Sequence, residues 1–68
     1  MNVAEEAGAA LARVWETMVV LAEAGNDMVV NEQRLTSESG AQQVAEIAAD
    51  LLALSRAAEV LARLRGLT

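Results

Sequence analysis

The sequence has no cysteine, histidine, proline, tyrosine or phenylalanine, and its five basic residues are all arginine. Each absence closes a class of explanation. Without cysteine there is neither a disulfide framework nor a thiolate nucleophile. Without histidine the common zinc and diiron constellations lose a necessary ligand. With no imidazole, lysine amine or phenol, the usual general bases, Schiff bases and phenolic acids are missing as well. No glycine-rich phosphate loop occurs. The chain is therefore expected to be non-enzymatic, with no catalytic residue, no cofactor and no metal.

Charge removes further options. The net charge is −5, so the basic face that displaces counterions from phosphates is not there, and direct nucleic-acid binding is not expected. The longest strongly apolar run, Met18 to Ala22, is far short of the ~20 residues that span a bilayer, so no membrane partner is expected. Met1 is followed by Asn2 and then Glu5-Glu6, without the basic start and apolar core of a secretory signal. The expectation is a cytoplasmic chain, complete from Met1. Absence of lysine beside abundant Ala, Val, Gly and Arg suits a GC-rich bacterial or phage genome.

What is present is apolar. The 68 residues are 54% hydrophobic, well above a disordered composition. A chain of this size buries only about 60% of its unfolded surface when it folds alone, and it needs help from disulfides, a metal or association. The first two are excluded by composition, so self-association is expected.

"TMVVLAEAGNDMVVNEQ", residues 17 to 33, holds Met-Val-Val twice around Gly25-Asn26-Asp27. It reads as a hairpin of strands or as one helix running through the glycine. Asn2 caps a first helix with Glu5 three residues on. From there small or apolar residues recur in a 4-3 spacing at Ala4, Ala7, Leu11, Val14, Met18, Leu21, Gly25 and Met28. At about 100° per residue, Glu5, Glu6, Arg13, Glu16, Glu23, Asp27, Asn31 and Arg34 share a polar arc roughly 100° wide. Asp27 and Asn31 join it only if helical phase survives Gly25. The flanks Val19, Val20, Leu21 and Ala22 do not alternate as a strand would. One helix over about residues 3–34 is the expectation, Gly25 costing only about 1 kcal/mol relative to alanine.

"RLTSESGAQQ", residues 34 to 43, is the expected turn, placed at about 35–39. Ser39 and Gln42 form a capping-box pattern, with Thr36 and Ser37 as rival caps. The second helix then covers about 40–65, with Gly66 at the left-handed stop beyond it. Its main seam is Val44, Ile47, Leu51, Leu54, Ala58 and Leu61. Ala41, Ala48, Ser55 and Ala62 recur every seven residues and permit close helix approach. A weaker stripe of Ala49, Ala53, Ala57, Val60 and Leu64 lies opposite. Glu5 and Glu6 at the start of one helix, and Arg63 and Arg65 at the end of the other, complement the helix dipoles and meet in an antiparallel pair.

The fold class expected is therefore all-α, an antiparallel two-helix hairpin forming a single domain over residues 1–68 and associating as a homodimeric four-helix bundle. The first helix is too apolar for one neighbour. Trp15, Val19, Ala22, Val29 and Val30 widen its arc to roughly 200°, where one neighbour needs little more than about 100°. The interface expected for self-association or a partner comprises these together with Leu11, Val14, Met18, Met28, Ile47, Leu51, Leu54 and Leu61. Val20 is stranded among the acids.

The remaining candidates each have two readings. Glu16, Glu23 and Asp27 form an acidic row that is either a solvated face or a face for a basic partner. Glu46 and Asp50, one turn apart, lack the further ligands a metal requires. "TSESG" reads as helix capping, since no partner base is near it. Trp15 is a core or dimer-interface residue, or an anchor for another protein. Met18 and Met28 read as core filler rather than an adaptable groove.

By elimination the expected function is protein–protein interaction, that of a small bacterial or phage regulator or inhibitor that occupies a surface on a larger host protein. Two alternatives stay open. One is a structural or assembly subunit, such as a scaffold, adaptor or chaperone in a helical oligomer. The other is a binder of a small hydrophobic ligand in the bundle core.

Overall fold

The computed structural model describes residues 2–31 and 36–66. Among them are two helices and no strand, α1 over Val3–Val30 and α2 over Glu38–Gly66. Helix α1 starts where the sequence offers a cap. Asn2 is extended (φ −102°, ψ 166°), and its Oδ1 accepts from the Glu5 N–H at 2.8 Å. Glu5 and Glu6 then occupy the first turn, where their charge is favourable to the helix dipole.

The helix runs straight through Gly25. Gly25 is half-buried in the seam, and a Cβ built on it would lie 3.8 Å from Ile47 Cγ2. The two Met-Val-Val triplets are therefore parts of one helix, as the continuous polar arc implied.

The helix ends, by contrast, differ from expectation. Helix α1 stops at Val30, and Asn31 turns to φ −105°, ψ 90° while its N–H still bonds the Asp27 carbonyl. The last turn holds β-branched Val29 and Val30, which lose side-chain freedom in a helix, and it has no base to favour the dipole. Residues 32–34 of the expected first helix, and Leu35 of the expected turn, lie outside the described residues. At the second start the cap is Ser37, not Ser39. The Ser37 Oγ accepts from the Gly40 N–H at 3.0 Å, and the Ala41 N–H donates to the Ser37 carbonyl at 2.9 Å. Starting there puts Glu38 in the first turn and buries Gly40. Gly66 is still helical, and no described glycine has positive φ. A left-handed stop at Gly66 is thus not what ends α2.

The helices pack antiparallel. Close approaches of Gly8 to Arg65 and of Gly25 to Ile47 set the register, so each α1 residue stands level with the α2 residue that brings their numbers to a total of about 72 or 73. Every member of the 4-3 repeat on α1 is buried or half-buried, and so is every member of the expected seam on α2. The packing is nevertheless thin. Among the described residues only Ala4, Ala7, Met28 and Ala58 are buried apolar residues, and Met28, at 3% exposure, is the one large side chain among them. A helix with one neighbour cannot cover an apolar arc of roughly 200°.

The result is a rod of 48 × 15 × 14 Å with a radius of gyration of 15.3 Å. A compact chain of this length has a radius near 11 Å. The accessible surface is 5070 Å², whereas a compact monomer of 7.2 kDa exposes about 4,100 Å². The rod leaves about 1,000 Å² more surface in water than its mass requires.

Candidate interaction surface

The antiparallel register divides the expected interface residues into two groups. Leu11, Val14, Met18 and Met28 on α1, with Ile47, Leu51, Leu54 and Leu61 on α2, are buried or half-buried between the helices. They hold the hairpin together. Trp15, Val19, Ala22, Val29 and Val30 remain exposed. Trp15 is 58% exposed, Val19 44% and Val30 78%. Exposed tryptophan and valine on a single-neighbour helix are unpartnered apolar area, which costs about 25 cal/mol for each Å² left in water. Val20 is also exposed, on the acidic side as its phase implied.

On one face of the rod the helices flank an open groove of about 870 Å³. Its α1 wall is Gly8, Leu11, Ala12, Trp15 and Met18, and its α2 wall includes Ser55, Ala58 and Ala62. Glu16 and Glu59 also line it. Glu59 is paired along its own helix with Arg63. The ends that carry Glu5, Glu6, Arg63 and Arg65 do meet in the antiparallel pair, but the ion pair seen among the described residues runs along α2, between neighbours one turn apart. Arg65 instead lies over α1, its Cδ 3.3 Å and its Nε 3.4 Å from where a Cβ on Gly8 would stand.

The small residues Ala41, Ala48, Ser55 and Ala62 on α2 have a counterpart that the helical seams alone do not reveal. Gly8, Trp15, Ala22 and Val29 recur at the same interval of seven on α1. Lining of one groove by Gly8 and Trp15 together with Ser55 and Ala62 shows that the two rows lie on the same face. The repeat was legible, but which side of the rod it occupies depends on the register of the pair. A smaller groove of about 260 Å³, involving Val3, Ala10 and Leu64, marks the opposite face.

Glu16, Glu23 and Asp27 are exposed along α1. Among the described residues no three acidic side chains come together in a way that could hold a metal ion. Among the described residues no helix is long and apolar enough to cross a membrane. No family model, curated protein or solved structure matches the chain.

Proposed function

We propose that this protein is a non-enzymatic helix-pairing module that associates with a second copy as a four-helix bundle and acts on other proteins by occupying a surface. The observation that carries the reading is the surplus surface of the rod. About 1,000 Å² beyond a compact monomer's surface is close to the ~800 Å² that each partner gives up in a stable interface of ordinary size. Trp15 stands in that surface, 58% exposed, and tryptophan buries more apolar area than any other side chain here. Pairing two such rods supplies each helix with a second neighbour, which is what an apolar arc of roughly 200° asks for.

As a regulator or inhibitor the bundle needs an outward face with its own chemistry. The exposed acids Glu23 and Asp27, which do not line the larger groove as Glu16 does, give it one, suited to a basic surface on a larger protein. A second reading is favoured by the smaller groove on the opposite face. Dimers that stack through Val3, Ala10 and Leu64 become assembly subunits rather than regulators.

The mass of the purified chain by light scattering, over a range of concentrations and with helicity followed on the same samples, tests the core of the proposal. A dimer is expected. Well-folded monomer at every concentration refutes self-association, and mass that climbs steadily past the dimer favours the assembly reading. Reversing the charges of Glu23 and Asp27 together, with Glu16 left in place because it lines the larger groove, tests the partner face, since unchanged capture of a basic partner would remove these acids from the mechanism.

A further inference from the structure

We infer that the occupant of the larger groove is the second copy itself, seated with its two-fold axis parallel to the rod, so that both turns lie at the same end and Trp15 of each copy packs on the small-residue row of the other's α2. This rests on the self-association proposed above and adds the face and the alignment.

Two hairpins laid groove to groove have two symmetric solutions. With the axis along the rod, α1 of one copy meets α2 of the other. The pairing then follows the levels of the hairpin itself, with totals near 72. Trp15 falls opposite Ser55 and Ala58, and Val29 opposite Ala41. Large residues of one chain meet small residues of the other, and the two helix contacts are identical by symmetry. With the axis across the rod, α1 meets α1 and α2 meets α2. One contact then carries Trp15 and Val19 from both sides, while the other carries the small residues Ser55, Ala58 and Ala62 and sets Glu59 of each copy on the same contact. Helix separations follow side-chain size, over a range of about 8–10 Å, and a rigid hairpin cannot satisfy a wide contact and a narrow one at once.

Charge favours the same solution. Aligned at one end, Glu16 of one copy stands level with Arg56 of the other, and Glu59 is already matched by Arg63. Aligned at opposite ends, the acidic row containing Glu16 and Glu23 lies along the same row of its partner. Like charges brought together across an interface disfavour that pairing. The opposite face is a poorer candidate, because its groove is about 260 Å³ against about 870 Å³.

The chain has no cysteine, so a Val3→Cys variant takes a single spin label. Val3 is 63% exposed and lines the smaller groove, so a label there leaves the proposed face clear. Pulsed electron–electron resonance on the labelled dimer is expected to give a distance below about 30 Å, the diagonal of a four-helix bundle plus the label arms. At a rise of 1.5 Å per residue the opposite alignment gives about 45 Å along the rod, and that result overturns the inference while leaving dimerisation intact. Monomeric mass with no coupling between labels overturns both. A Ser55→Arg variant is expected to raise the dimer dissociation constant at least tenfold with helicity unchanged, and Ala57→Arg, across the helix, is expected to leave it alone. Native affinity in Ser55→Arg refutes the choice of face.

Discussion

Replacing Gly25 with alanine measures the continuity of α1 directly. In mid-helix, glycine is about 1 kcal/mol less favourable than alanine, because it has more backbone freedom to lose on folding. Gly25 lies inside α1 with no positive φ, so alanine adopts the same backbone without strain. The new methyl would lie 3.8 Å from Ile47 Cγ2, an ordinary van der Waals contact. Half-burial of one carbon adds a few tenths of a kcal/mol at about 0.8 kcal/mol per fully buried methylene. The expected gain is therefore about 1 to 1.5 kcal/mol per chain. For a domain of this size that is a rise of roughly 4–12 °C in melting temperature. Thermal unfolding followed by far-UV circular dichroism reads it, with native and variant held at one chain concentration because association shifts the midpoint. Gly8→Ala is the internal comparison. Its Cβ would meet Arg65 Cδ at 3.3 Å, so Arg65 has to give way and the gain should be smaller. A neutral or destabilised Gly25→Ala would refute the continuous helix, since only a turn or a break at Gly25-Asn26 makes glycine the better residue there.

Three other perturbations separate the roles of named residues. Met28→Ala removes the one large buried side chain among the described residues and should cost about 2–5 kcal/mol in chemical unfolding; a loss under about 1 kcal/mol would mean that the loop end of the hairpin is loosely packed. Ser37→Ala deletes the acceptor of the Gly40 N–H and should cost about 1 kcal/mol, whereas Ser39→Ala should change stability by no more than about 0.5 kcal/mol; the reverse order would restore Ser39 as the cap. Trp15→Ala should leave helicity in place, because Trp15 is mostly exposed in the hairpin, yet weaken the dimer by at least about 2 kcal/mol as a central interface tryptophan does. Equal sedimentation of native and variant across concentration would show that Trp15 is not in the interface.

How far the fold was legible depends on which physical term decides each feature. The two helices and their seams were readable, because the spacing of Ala4, Leu11, Val14, Met18 and Leu21, and of Val44, Ile47, Leu51 and Leu54, is the period of a helix that buries one stripe. Continuity through Gly25 was readable from the phase of Asp27 and Asn31 against the earlier acids. The helix ends were less so. Ser37 and Ser39 have the same side chain, and the choice between them goes with the burial of Gly40, which a local pattern does not reveal. The end at Val30 rests on small differences in propensity and charge within one turn, which a repeating pattern does not resolve.

For the candidate surface, the sequence by itself determined that the apolar arc of α1 exceeds what one neighbour covers, because an arc is a property of spacing alone. It also supplied the small row on α2. Only the tertiary structure decided that Leu11, Val14 and Met18 are half-buried along the seam while Trp15, Val19 and Ala22 stay in water. It alone placed Gly8 and Trp15 beside Ser55 and Ala62 on one side of the rod. The reason is that a helix wheel gives angles about one axis, whereas the side on which two rows meet depends on the direction and register of a second helix. Those follow from the approaches of Gly8 to Arg65 and of Gly25 to Ile47, contacts between residues far apart in the chain.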